Sequence, residues 1–67
     1  MTTATYTVTG MTCGHCVASV REEIEAIAGV RSVDVALDTG TVEVTSDRSI
    51  DLAEVTAAVT EAGYELA

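Results

Sequence analysis

The spacing of apolar residues changes from every second position to every third or fourth position, and back again, twice within 67 residues. Alternation with threonine marks a first strand, whose inward residues are Ala4, Tyr6 and Val8. Beyond Gly10 and a short loop the spacing becomes helical, with an apolar stripe at Val17, Val20, Ile24 and Ile27. Gly29 is the left-handed residue expected to end this helix.

Alternation returns after Gly29, and its inward residues on two consecutive strands are Val33, Val35, Leu37, Val42 and Val44. The hairpin turn between these strands is Asp38-Thr39-Gly40. A second helix begins at Asp51, which caps it together with Glu54 three residues later. The predicted buried stripe of this helix is Leu52, Val55 and Val59. Gly63 ends the helix, and residues 64–67 are long enough only for a short last strand.

The order βαββαβ predicts an α+β fold of the ferredoxin-like type. In this open-faced sandwich a four-stranded antiparallel sheet carries both helices on one face. The other face meets water, and polar residues stand at its positions: Thr5, Thr7, Thr9, Thr41, Glu43 and Thr45. The chain has no proline and no linker-like segment, so we expect a single domain over residues 1–67.

Eleven acidic residues against three arginines give the chain a formal net charge of −8. Nucleic acid and anionic lipid repel such a chain, so neither is an expected partner. No run of about 18 apolar residues is present to insert in a membrane, and residues 1–9 lack the basic start of a signal peptide. We therefore expect a cytoplasmic protein; a secreted chain whose signal has been removed is the alternative.

Cys13 and Cys16 stand three positions apart at the junction of the first strand and the first helix. Because the cytosol keeps thiols reduced, this pair indicates a metal site or a redox site rather than a structural disulfide. Thiolates are soft donors, and copper(I) is a soft ion that accepts two or three ligands. The start of the helix favours thiolate over thiol. Copper(I) is therefore the expected ion, although mercury fits two thiolates equally well.

Residues 10–16, Gly-Met-Thr-Cys-Gly-His-Cys, resemble the metal-binding loop of the heavy-metal-associated domain family. The resemblance extends to Gly29-Val30, to the strand pair and to Ala62-Gly63-Tyr64. It implies a cytosolic copper(I) chaperone, not an enzyme, that passes its ion by ligand exchange to the metal-binding domain of a copper-transporting P-type ATPase. A copper-sensing repressor is a second implied partner. Zinc-exporting relatives carry Asp where Thr12 stands here, and structural zinc needs four donors, so zinc is disfavoured.

Three further residues are candidates for the surroundings of the metal. We expect His15 to tune charge and thiol acidity, with direct coordination by its ring as the alternative. Met11 is expected to fill the core rather than to offer its thioether as a ligand. The resemblance places Tyr64 in a loop beside the metal, while its position after the second helix predicts a contact with Val59.

We assign Cys13, the more exposed thiol by position, to make the first bond with a partner, and Cys16 to retain the ion. Open coordination positions also allow copper to bridge two copies of the chain in a homodimer. Three alternatives stay open. The residues are the N-terminal metal-binding domain of an ATPase, a thiol redox protein, or an interaction module whose cysteines are incidental. Redox proteins with this motif usually carry a longer chain and a proline beside the site.

Overall fold

The computed structural model describes residues 1–12 and 14–67 and confirms the predicted order of elements. The four strands are β1 (Thr2–Thr9), β2 (Val30–Ala36), β3 (Thr41–Ser46) and β4 (Glu65–Leu66). The two helices are α1 (Gly14–Glu25) and α2 (Leu52–Glu61). Neither described helix combines the length and the apolar character that crossing a membrane requires.

The strands form one antiparallel sheet in the order β2-β3-β1-β4. In its centre Tyr6 of β1 is opposite Val42 of β3, and Val42 is opposite Val35 of β2. At the far edge Val8 is opposite Leu66, so the short strand β4 lies beside the last residues of β1. The last two residues of β1, from which the loop to α1 departs, are therefore held by β4, and the N–H of Val8 also donates to the carbonyl of Gly40 at 2.8 Å.

One face of the sheet and the inner sides of both helices share a single hydrophobic core. Its buried members are Val8, Val20, Ile24, Val33, Val42, Val44, Val55, Ala58 and Val59. On the opposite face Thr5, Thr7, Thr9 and Glu43 are exposed, while Thr41 and Thr45 are half-buried. This is the ferredoxin-like sandwich that the alternation of apolar and polar residues predicts.

Two predicted inward residues are exposed to solvent. Leu52 is 62% exposed and Leu37 is 39% exposed. Leu52 is the first residue of α2, and a helical side chain covers the turn that precedes it, where Ile50 is the residue packed on the core. Leu37 follows the last residue of β2, so the alternation of the strand no longer determines its direction. Ala58, which was not predicted, completes the buried side of α2.

The end of α1 also differs from the prediction. The helix stops at Glu25, four positions before Gly29, and Ile27 is half-buried outside it. A tight turn follows, in which the N–H of Val30 donates to the carbonyl of Ile27 at 3.2 Å. Gly29 therefore belongs to the turn that starts β2 and not to the cap of α1.

The end of α2 is as predicted. The N–H of Gly63 donates to the carbonyl of Thr60 at 2.9 Å, and the N–H of Tyr64 donates to the carbonyl of Val59 at 3.0 Å. These two bonds form the pattern of a Schellman motif, which satisfies the last carbonyls of a helix. Tyr64 is thus fixed relative to α2 immediately before the chain enters β4.

Candidate metal centre

The candidate centre is the loop that joins β1 to α1. Gly10 to Cys13 connect Thr9, the last residue of β1, to Gly14, the first residue of α1. Cys13 lies outside the described residues, so its assignment as a ligand stays a prediction. Cys16 is the third residue of α1 and is half-buried. Its sulfur therefore belongs to the first turn, where backbone N–H groups have no partner within the helix and negative charge is favoured.

Thr12 has a contact with Cys16 that sequence reasoning missed. The hydroxyl Oγ1 of Thr12 lies 3.9 Å from Sγ of Cys16, within hydrogen-bonding distance for sulfur. Sequence reasoning considered Thr12 only as the residue that replaces Asp. The available signal was a threonine two positions before the helix and four positions before the cysteine, since hydroxyl side chains near a helix start turn back toward the first helical turn.

Met11 of the loop and His15 of α1 lie in different surroundings. His15 is exposed in the first turn of α1, and its backbone carbonyl accepts a hydrogen bond from the hydroxyl of Ser19 at 3.1 Å. Met11 is half-buried and packs against the hydrophobic core. Its packing is that of a core-filling side chain two positions beyond the end of β1.

Tyr64 reaches the loop from the other end of the chain. A Cβ atom placed on Gly10 would lie 3.3 Å from Cδ1 of Tyr64, so the ring is in contact with the backbone at the start of the loop. The following residue, Glu65, is opposite Thr9 in the sheet. The structure therefore brings Tyr64 against the start of the loop that leads from β1 to α1. A larger residue than glycine at position 10 would push against the ring.

Charged side chains are absent from this part of the sequence. None of the eleven acidic and three basic residues precedes Arg21. The first acidic residues beyond the loop are on α1, where Glu22 and Glu25 are exposed and Glu23 is half-buried. Across residues 1–12 and 14–67, no three side chains of the types His, Cys, Asp and Glu converge as a metal cluster. Among described residues, the loop and the first turn of α1 thus offer the sulfur of Cys16, the exposed residue His15 and uncharged neighbours.

Comparison with known proteins gives consistent results. The model of the heavy-metal-associated domain matches residues 5–65. The copper chaperone CopZ of Staphylococcus aureus strain JH9 is 38% identical over 60 residues, which cover 88% of each chain. A solved CopZ metallochaperone has a TM-score of 0.91 and 34% identity, and the match covers 98% of this chain and 100% of that one. A copper binding domain from HMA7, a P-type ATPase, has a TM-score of 0.89 and 29% identity, with coverage of 100% and 92%.

The extent of these matches decides the family. The family model begins in β1 and ends in β4, so it spans all six elements of the fold. The loop between β1 and α1, with Cys16 in the first helical turn, lies inside the matched region. With this fold and more than one-third identity to a curated relative, the chain belongs to the heavy-metal-associated domain family.

Proposed function

We propose that this protein is a copper(I) chaperone that binds its ion between the thiolates of Cys13 and Cys16. The observation that supports this best is the position of Cys16 in the first turn of α1, directly after the exposed residues Gly14 and His15. A thiolate there is stabilised by the helix dipole and stays close to the surface. The names of the relatives, a copper chaperone and a copper binding domain, support copper as the cargo.

Transfer in this proposal proceeds by exchange of sulfur ligands. A thiolate of the partner forms a bond to two-coordinate copper(I), and the bond from Cys13 then breaks. A second partner thiolate replaces Cys16 in the same way, so copper keeps its oxidation state and is not released free. The proposed partner is the metal-binding domain of a copper-transporting P-type ATPase. A copper-sensing repressor with exposed thiols is a second proposed acceptor.

The test is an anaerobic titration with copper(I) in the presence of a competing chelator, with molecular mass measured in parallel. We expect tight binding that is lost when both cysteines are replaced by serine, while Thr60→Ser on the exposed side of α2 binds as the wild type does. A ratio of one copper to two chains, with doubled mass, would indicate the copper-bridged homodimer. Binding that survives removal of both thiols contradicts the proposal and favours an interaction module.

The separate roles of the two cysteines need a kinetic measurement. We expect Cys13→Ser and Cys16→Ser to differ in the rate of copper transfer to the ATPase domain, because one thiol exchanges first and the other retains the ion. Equal defects contradict this division. Metal-free turnover of a dithiol substrate by the wild-type protein would instead indicate a redox function.

A second candidate function is that of an N-terminal metal-binding domain within an ATPase. The similarity to a copper binding domain from a P-type ATPase favours it. Immunoblotting of the source cells distinguishes the two functions. A species near 6.9 kDa in the cytosolic fraction supports the chaperone, and a large species in the membrane fraction supports the ATPase domain.

We further propose that residues 1–67 act as one domain and that three neighbours of the thiols have auxiliary roles. His15 tunes the thiols from its exposed position, so His15→Asn should keep the copper ratio of the wild type. Met11 supports the loop from the core, and Tyr64 supports it through its contact with Gly10. A single cooperative unfolding transition is expected for one domain.

A further inference from the structure

Thr12 is placed to act on one of the two proposed ligands. Its Oγ1 lies 3.9 Å from Sγ of Cys16, and the two residues are four positions apart across the start of α1. Thr12 is exposed, so its side chain is not there to fill the core. The sulfur of Cys16 belongs to a half-buried residue. The contact therefore joins an exposed residue to a half-buried one.

The chemistry of the two groups determines the direction of the hydrogen bond once metal is bound. A hydroxyl and a thiol can each donate or accept, and in the metal-free protein either atom can be the donor. A metal-bound thiolate carries no hydrogen, so it can only accept. The Thr12 hydroxyl is then the only possible donor of this pair, and hydrogen bonds to charged acceptors are the stronger ones.

We infer that Thr12 is a positioning residue, which donates its hydroxyl hydrogen to Sγ of Cys16 and so makes Cys16 the ligand that retains the ion while Cys13 exchanges. This inference rests on the proposed function. Groups that orient a metal ligand typically change metal affinity by 10- to 100-fold when they are removed. Sulfur is a weaker hydrogen-bond acceptor than oxygen, so we expect a change in copper affinity at the lower end of this range, roughly tenfold.

The test compares Thr12→Val, which keeps the shape but removes the hydroxyl, with Thr12→Ser, which keeps the hydroxyl. Thr60→Val is the matched control, because Thr60 is an exposed threonine on α2. Copper(I) affinity is measured by chelator competition, and the ¹³Cβ chemical shift of Cys16 is measured in the metal-free protein. Thr12→Ala is a second variant without the hydroxyl, in case valine disturbs the loop.

The expected result is affinity weakened roughly tenfold in Thr12→Val and Thr12→Ala, and within about twofold of wild type in Thr12→Ser and Thr60→Val. The Cys16 ¹³Cβ shift should move in the two variants without a hydroxyl and return in Thr12→Ser. Wild-type affinity in Thr12→Val overturns the inference while leaving the copper proposal intact. Wild-type protein that binds no copper overturns both, and the chemical shift then reports separately whether the hydrogen bond forms.

Discussion

The guanidinium of Arg48 holds the carboxylate of Glu54 by two hydrogen bonds, from Nη2 to Oε1 at 3.0 Å and from Nη1 to Oε2 at 3.3 Å. Nε of the same arginine donates to the carbonyl of Ala28 at 3.0 Å. Glu54 also accepts the backbone N–H of Asp51 at 3.1 Å, as the third helical residue of a capping box does. This cluster joins the turn before β2 to the start of α2, at the end of the molecule away from the candidate metal loop.

Replacing Glu54 with Gln should lower the melting temperature at neutral pH more than at acid pH. The hydrogen bond from Arg48, and then that from the Asp51 backbone, holds the pKa of Glu54 below its ordinary value of 4.5. The resulting stabilisation is complete above the pKa of the unfolded chain and is lost as pH falls through the lower pKa of the folded state. Thermal unfolding from pH 7 to pH 3 measures this.

Glu61→Gln is the matched control for that experiment, because Glu61 is an exposed carboxylate in the last turn of the same helix. We expect the gap between wild type and Glu54→Gln to close as pH falls below about 4. A gap that is constant across this range would mean that the charge of Glu54 does not stabilise the cluster.

Asp34→Lys should stabilise the fold. Asp34 and Glu43 are direct partners on neighbouring strands, and both are exposed on the open face of the sheet. Like charges at this position repel, whereas opposite charges contribute about 0.2–1 kcal/mol. Denaturant unfolding should show a gain of about 0.5 kcal/mol over Asp38→Lys, which makes the same change of net charge in the hairpin turn. Equal stability of the two variants would show that the gain comes from net charge alone.

Gly40→Ala should destabilise the protein more than Gly63→Ala does. Both glycines have positive φ, 72° and 92°, so either alanine costs about 1–2 kcal/mol in backbone strain. The space available for a side chain differs between the two positions. A Cβ on Gly40 would lie 2.6 Å from the carbonyl oxygen of Val8, whereas a Cβ on Gly63 meets nothing within 4 Å. The denaturation midpoints of the two variants therefore separate strain from collision. Equal midpoints would contradict the close approach of Gly40 to β1.

Ile24→Ala and Leu52→Ala should differ widely, although both remove a large apolar side chain from a helix. Ile24 is fully buried, so its loss should cost about 2–5 kcal/mol. Leu52 is 62% exposed, so its loss should change the free energy of unfolding by no more than about 0.5 kcal/mol. Denaturant unfolding measures both. A large loss of stability in Leu52→Ala would instead indicate that Leu52 is buried, as the apolar spacing predicts.

Salt should slow copper transfer to a partner that carries basic residues beside its own thiols. Glu22 and Glu25 are exposed on α1, the helix that carries Cys16. Their attraction to a basic surface is screened as ionic strength rises, and we expect the transfer rate to fall about threefold between low and high salt. The double variant Glu22→Gln, Glu25→Gln should transfer slowly at low salt and respond little to added salt. A wild-type rate that is independent of salt would exclude these residues from docking.

Most of the fold was predictable because its signals are local. The period of two in β1, β2 and β3 and the capping residues Asp51 and Glu54 each act within a few positions of the chain. The pair Cys13 and Cys16 is also a local signal, since a predicted strand followed by a predicted helix puts both residues at one junction in the sequence. The predictions for Leu37 and Leu52 were wrong because both residues stand at the ends of elements. There the apolar period continues in the sequence, but the hydrophobic core does not extend to those positions.

The amino-acid sequence by itself determined the order of the elements, the polarity of the two sheet faces and the pair of thiols that we propose as ligands of a soft ion. The tertiary structure alone decided which distant residues support the candidate site. Tyr64 lies against Gly10 only because β4 pairs with the end of β1, and Arg48 reaches Ala28 only because two turns meet at one end of the sheet. Such contacts depend on how the packed elements are arranged in space, and a periodic pattern along the chain does not specify that arrangement.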